Sequence, residues 1–174
     1  MSLKKIILIP GFIFSQLAIA SVPVEVIDSC KNDKAANSSV AMTALTPPHG
    51  LGADETGCLD HFESTVNGFN YGYITCNDKT SLILKGNRFS LDTAVNHSIN
   101  PAITPGKGHI LPLSDWWKIT YANTDYLCIS TPLSSSGKGD NILQHYIVEN
   151  AYNSNIPILN FYFFNKDIIP LADM

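Results

Sequence analysis

The chain has 174 residues, and its 15 acidic and 11 basic residues give a net charge of −4 at neutral pH. A protein that binds nucleic acid needs a basic surface to neutralise phosphates, so this composition argues against a nucleic-acid partner. Arg88 is the only arginine, which also argues against bidentate recognition of phosphate or carboxylate groups as the main activity.

The first twenty residues, MSLKKIILIPGFIFSQLAIA, have the three parts of a secretory leader. Lys4 and Lys5 supply a positive start, an apolar run follows, and Ala-Ile-Ala ends the segment with a signal-peptidase pattern. The apolar run is shorter than the ~20 residues that a membrane span needs, and Pro10 interrupts it. We predict a signal peptide over residues 1–20 and a secreted or periplasmic chain over 21–174, with no transmembrane span. An uncleaved N-terminal anchor is the alternative.

The four cysteines, Cys30, Cys58, Cys76 and Cys128, all follow the predicted leader. An even number of cysteines in an exported chain predicts two disulfides, with three possible pairings. We favour Cys30–Cys58 and Cys76–Cys128, because the first two bracket the irregular N-terminal section and the last two fall in predicted strands. No Cys-x-x-Cys spacing is present, so the sequence predicts neither a redox motif nor a cysteine zinc site.

Residues 54–66 predict one short helix. Asp54 can cap its N-terminus, and Cys58, Phe62 and Val66 recur at a spacing of four. On such a helix Asp60 and its neighbouring histidine point away from Cys58, so these adjacent residues do not form a catalytic cluster.

Strand patterns dominate the rest of the chain. Leu82–Lys85 and Arg88–Leu91 predict one hairpin, and Trp116–Tyr121 with Tyr126–Thr131 predict another. Two more strands flank the turn segment NSNI, so the last four strands predict an antiparallel meander. The chain is therefore expected to be mainly β, as a single antiparallel β-sandwich or barrel-like domain held by disulfides.

The last strand is apolar on both faces. Phe161 and Phe163 point one way under strand alternation, whereas Tyr162 and Phe164 point the other way. We expect this strand to be central or covered on both sides.

Candidate catalytic residues are few, and no local motif supports them. They are His61, Asp60, His109 and Glu149. The five histidines show no metal-binding spacing, so no metal or cofactor is predicted. Glu149 interrupts an apolar strand, and burial there would raise its pKa as a general acid requires.

Candidate ligand-binding residues are two tryptophans and two lysines. Trp116 and Trp117 begin a strand, so one indole should face the core and the other should face outward. Lys107 and Lys138 each lie in a Gly-Lys-Gly tripeptide, where exposed backbone N–H groups can bind an anion.

These observations leave three hypotheses for function. The first is an exported, non-enzymatic β-domain that binds a protein, a glycan or a cell-envelope component through its loops. The alternative is a small secreted hydrolase or toxin with a site assembled from histidines and carboxylates on loops. A third is a surface-assembly subunit that uses strand pairing.

Overall fold

The structure is a computed structural model that describes residues 21–51, 56–135 and 137–168. The predicted signal peptide lies outside the described residues. In chain order, the elements are α1 (Val24–Lys31), β1 (Val40–Ala44), β2 (His49–Gly50), β3 (Cys58–Val66), β4 (Phe69–Cys76), β5 (Lys79–Leu84), β6 (Asn87–Ser90), β7 (Val95–Asn96), β8 (Asp115–Tyr121), β9 (Thr124–Pro132), β10 (Leu143–Glu149) and β11 (Ile158–Tyr162).

The strands form two sheets, which confirms the mainly β, sandwich-like fold. The large sheet has the strand order β1-β8-β9-β10-β11-β7, and the small sheet has the order β2-β3-β4-β5-β6. Strands β8 to β11 are consecutive antiparallel neighbours, as the sequence predicted. No helix in the described part of the chain is long and apolar enough to cross a membrane.

Tight turns set the registers of the hairpins. The turn between β5 and β6 consists of Lys85 and Gly86, both at positive φ, and the turn between β3 and β4 consists of Asn67 and Gly68, also at positive φ. Two consecutive positive φ values define the type I′ turn, whose twist matches that of paired strands. The hairpin predicted near Gly86 is therefore confirmed, with its turn one residue earlier than expected.

The main core lies between the two sheets. Trp116 and Phe161 of the large sheet and Tyr71 and Leu82 of the small sheet belong to one buried cluster. The indole of Trp116 lies 5.4 Å from the Tyr71 ring, measured between centroids.

Helix α1 covers the other face of the large sheet, which we call the helix side. Val22, Val26 and Cys30 are buried there in one cluster with Ile147 and Tyr162. Both faces of strand β11 are therefore covered, as its apolar residues on both faces predicted. Its Phe161 packs between the sheets and its Tyr162 packs on the helix side.

The helix predicted at residues 54–66 is wrong for the described part of that range. Residues 58–66 form β3, and Asp54 lies outside the described residues. Residues four apart lie on one face of a strand as well as of a helix, because side chains alternate along a strand with a period of two. Leu59 is 72% exposed beside a register shift between Cys58 and Asp60, as a bulged strand allows.

The favoured disulfide pairing is also wrong. Cys30 is bonded to Cys128, and Cys58 is bonded to Cys76. The first bond joins α1 to the centre of the large sheet. The second joins the neighbouring strands β3 and β4, in which the two cysteines are register partners. The pairing was mispredicted because α1 carries Cys30 onto a strand that is distant in the sequence.

Candidate functional site

The predicted catalytic residues do not converge in the structure. Asp60 and His61 lie in β3 of the small sheet, whereas Glu149 ends β10 of the large sheet. His109 is exposed in the segment before β8, where its backbone oxygen accepts a hydrogen bond from Gln144 at 3.2 Å. A catalytic role for any of these four residues stays a prediction.

His61 contacts a carboxylate that the sequence analysis did not select. Its Nε2 donates to Glu63 Oε1 at 2.6 Å, and Asn70 Nδ2 donates to Glu63 Oε2 at 2.7 Å. Burial opposes ionisation of Glu63, but the hydrogen bonds from Asn70 and His61, together with the charge of Arg88, hold its pKa below the ordinary value. Strand alternation places residues 61 and 63 on one face. The sequence predicts this pair if the segment is taken as a strand.

A buried serine and histidine meet a half-buried aspartate at the end of α1. Ser130 Oγ lies 3.1 Å from His145 Nδ1 and 3.0 Å from Asp33 Oδ1, and 3.3 Å from the Cys30 carbonyl oxygen. Burial, followed by the charge of Lys31, lowers the pKa of His145 to about 4. Burial raises the pKa of Asp33 above its ordinary value.

This cluster is arranged as a structural network and not as a catalytic triad. In a triad the histidine stands between the serine and the acid, whereas here Ser130 stands between His145 and Asp33. Ser130 is 1% exposed and His145 is 3% exposed, so a substrate has no access to the hydroxyl group. The network fastens the end of α1 to β9 and β10. No sequence signal could have found it, because 97 residues separate Asp33 from Ser130.

Glu149 takes part in a second hydrogen-bonded chain on the helix side. Asn160 Nδ2 donates to Glu149 Oε1 at 3.0 Å, and Asn160 Oδ1 lies 3.1 Å from His97 Nε2. The His97 ring stacks on Tyr162 with centroids 4.7 Å apart. This chain ties β7 to β11 and β10.

The predicted ligand-binding residues have separate environments. Trp116 is 2% exposed in the core between the sheets, and Trp117 is half-buried on the helix side. Lys107 is exposed in a 3₁₀ turn over Pro105–Lys107. The side chain of Lys138 lies outside the described part of the chain. Ligand binding by these residues stays a prediction.

A cleft of about 470 Å³ lies between the β5–β6 turn and the 150–157 loop, which joins β10 to β11. We call it the amide cleft because asparagines dominate its polar lining. The residues that line it are Leu84, Lys85, Asn87, Phe89, Ala151, Tyr152, Asn153, Ser154, Asn155 and Pro157. Sequence reasoning missed the site, because its two halves lie in loops of different sheets.

A second cleft of about 510 Å³ lies beside the edge strand β1. It is lined by Ser38, Ser39, Val40, Ala41, Thr120, Tyr121, Ala122 and Asn123. In the described part of the chain, neither cleft has a histidine or a carboxylate among its lining residues. The ionisable side chains in the described linings are Lys85 and Tyr152 in the first cleft and Tyr121 in the second. No protein-family model, curated protein or solved structure matches this chain.

Proposed function

We propose that the protein is an exported, non-enzymatic binding protein whose amide cleft holds an uncharged oligosaccharide. Export is supported by the two disulfides, which form and persist in oxidising compartments. The observation that carries the proposal is the chemistry of the cleft lining, whose described residues include amide groups and aromatic rings and no acid or histidine.

Amide side chains suit sugar hydroxyl groups. Each asparagine offers an N–H₂ donor and a carbonyl acceptor, and a sugar hydroxyl both donates and accepts. Asn87, Asn153 and Asn155 bring such groups to the cleft from both of its walls. The half-buried ring of Phe89 supplies apolar surface for the C–H face of a sugar ring. The Tyr152 ring, over which the Lys118 ammonium lies at 5.0 Å from the centroid, adds to the cleft wall.

The cleft is held in shape before any ligand arrives. Asn153 Nδ2 donates to Asn150 Oδ1 at 3.0 Å, and the Asn155 backbone N–H donates to Asn153 Oδ1 at 2.8 Å. The Tyr152 ring packs on Phe69 with centroids 4.3 Å apart. A preorganised site loses less entropy on binding, which favours affinity for a flexible ligand.

The single charged side chain in the described lining is already engaged. The Lys85 ammonium donates to the Asn153 backbone oxygen and thereby links the two walls of the cleft. A chain with a net charge of −4 also repels acidic polymers at long range. Both features favour an uncharged ligand over an acidic one.

The test is calorimetric titration of the mature protein with a panel of uncharged oligosaccharides, with acidic oligosaccharides of equal length beside them. We expect Asn87→Ala and Asn155→Ala each to weaken binding of the best uncharged ligand about tenfold, through one lost hydrogen bond of about 1 kcal/mol. Asn141→Ala is the matched control, because Asn141 is exposed outside the cleft, where its Nδ2 donates to Asp140 Oδ1 at 2.6 Å. Equal losses in the control variant, or no binding by any member of the panel, would refute the proposal.

A hydrolase or toxin remains the second candidate, and the His61–Glu63 pair favours it. A histidine held 2.6 Å from an ionised carboxylate is oriented as a general base. The pair lies on the outer face of the small sheet and lines neither cleft. An activity that is abolished by His61→Gln and unaffected by Asn155→Ala would favour this candidate over the binding protein.

A further inference from the structure

The amide cleft has an apolar floor and a polar rim. Leu84 is 2% exposed and Ala151 is 1% exposed, and both belong to the main core cluster. Phe89 on the β6 wall and Pro157 on the loop wall are half-buried, whereas the asparagines of the lining are exposed. A ligand group that fits this arrangement is apolar at its tip and polar behind the tip.

The β6 wall offers a hydrogen-bond acceptor beside an apolar ring. Asn87 and Phe89 lie on one face of β6, about 7 Å apart along the strand. Asn87 Nδ2 donates to the Lys85 carbonyl oxygen at 3.3 Å. This bond fixes which end of the amide is the donor, and it leaves Asn87 Oδ1 without a donor among the described residues.

The loop wall offers a hydrogen-bond donor. The side chain of Asn155 is exposed and makes no hydrogen bond with the described part of the chain. The neighbouring Asn153 amide is engaged at both ends, because its Nδ2 donates to Asn150 and its Oδ1 accepts the Asn155 backbone N–H. Asn155 is therefore the loop asparagine with an unused N–H₂ group.

We propose that the cleft recognises the acetamido group of an N-acetylhexosamine unit, an inference that rests on the proposed function. A secondary amide is planar and trans, so its N–H and its C=O point in opposite directions. Between the two walls, the ligand N–H donates to Asn87 Oδ1 and the ligand carbonyl accepts from Asn155 Nδ2. The methyl group then points to the apolar floor beside Phe89, and the sugar ring lies at the rim.

A sugar hydroxyl group in the same place fits the cleft less well. It is too short to bridge the two walls, and it leaves the apolar floor without a ligand contact. Burial of one methyl group and one additional neutral hydrogen bond together favour the acetamido group by about tenfold or more. The acetamido group is also uncharged, which suits a chain with a net charge of −4.

Calorimetric titration of the mature protein with two matched probes tests the inference. Triacetylchitotriose and cellotriose share one sugar backbone and differ only in having an acetamido or a hydroxyl group beside the glycosidic carbon. We expect triacetylchitotriose to bind about tenfold or more tightly. In saturation-transfer NMR its methyl protons should receive more saturation than its ring protons.

The outcomes separate this inference from the proposed function. Equal or tighter binding of cellotriose, or saturation confined to the ring protons, would overturn the acetamido assignment and leave the proposed function in place. The same holds if triacetylchitotriose does not bind and an uncharged oligosaccharide without an acetamido group does. If no uncharged oligosaccharide binds, both proposals fail.

Asn155→Asp tests the donor. Ionised aspartate keeps the shape and the acceptor of asparagine and lacks its N–H₂ group, so this variant should bind triacetylchitotriose about tenfold more weakly and lose most of the preference over cellotriose. Asn141→Asp is the control, because it adds the same charge outside the cleft and should keep the preference. Unfolding curves report that both variants are folded. A preference that is unchanged in Asn155→Asp, or lost equally in both variants, would overturn the inference.

Discussion

Cys30 at the end of α1 is bonded to Cys128 in the middle of β9, although 98 residues separate them in the sequence. Both residues are fully buried between the helix and the large sheet. The other disulfide, Cys58–Cys76, joins two strands that a tight turn already connects, and it belongs to a small cluster with Ile74 and Ile83. The two bonds therefore have different consequences for stability and for reactivity.

Loss of the long-range disulfide should cost more stability than loss of the short-range one. A crosslink restricts the unfolded chain more when it closes a longer loop, with about 4.7 kcal/mol expected for a loop of ~100 residues and about 3 kcal/mol for ~15 residues. We expect the double variant Cys30→Ala/Cys128→Ala to lose more free energy of unfolding than Cys58→Ala/Cys76→Ala. Urea unfolding curves measure both, and the reverse order would contradict the expectation.

Reduction of the native protein should begin at Cys58–Cys76. Thiol–disulfide exchange needs access of the attacking thiolate to a sulfur atom. Cys76 is half-buried and Cys58 is 7% exposed, whereas Cys30 and Cys128 have no exposed surface. Limited treatment with a dithiol reductant, followed by alkylation and peptide mass analysis, should label Cys58 and Cys76 first. Simultaneous labelling of all four cysteines would indicate global unfolding as the route.

His145 should make the protein less stable as the pH falls from about 6.5 to about 4. Its pKa is about 4 in the folded state and ~6.5 in an unfolded chain. The unfolded state therefore takes up a proton first, and the stability present above pH 6.5 is lost progressively toward pH 4, by about 3 kcal/mol from this residue. Urea unfolding at a series of pH values measures the slope.

His145→Asn is the control for this pH dependence. Asparagine keeps a side-chain donor near Ser130 and does not titrate, so the slope between pH 6.5 and pH 4.5 should flatten. Asp33 acts in the opposite sense, because its raised pKa makes the folded state take up a proton first. The pKa values of Glu63 and Asp125 are lowered in the folded state. The stability that these carboxylates contribute is therefore lost only when the pH falls below their ordinary pKa values, which lie outside most of this pH window. Parallel pH profiles for wild type and variant would contradict the role of His145.

Gly72→Ala should destabilise the small sheet. A Cβ atom at this position would overlap the Phe62 carbonyl oxygen and press on the backbone of Glu63. Backbone atoms of a paired strand cannot move aside as a flexible side chain can, so we expect a loss of about 3 kcal/mol or more. Gly50→Ala is the matched control, because its nearest contact would be the Phe62 ring at an ordinary 3.5 Å. Thermal unfolding of both variants measures the difference, and equal midpoints would contradict the clash.

The amino-acid sequence predicted the features that depend on neighbouring residues. The strands from Trp116 onward alternate clearly and are separated by short turns, so their antiparallel order was readable. The two-sided apolar pattern of Phe161 to Phe164 predicted coverage on both faces, and the even number of cysteines predicted two disulfides. Each of these inferences needs only local periodicity or composition.

Tertiary contacts determined the features that neighbouring residues did not predict. Helix α1 contains β-branched residues of modest helix propensity, and it is held by packing on the large sheet and by the bond from Cys30 to Cys128. Its sequence signals were the spacing of Val26 and Cys30, an acidic Glu25 in the first turn and a basic Lys31 in the last turn. The same spacing at Cys58, Phe62 and Val66 belongs to a strand, because a repeat of four satisfies both periods and only the pairing of β3 with β4 distinguishes them. Segments far apart in the chain likewise supply Cys30 and Cys128 and the asparagines of the amide cleft. Their meeting depends on how the helix and the sheets pack, which local sequence does not encode.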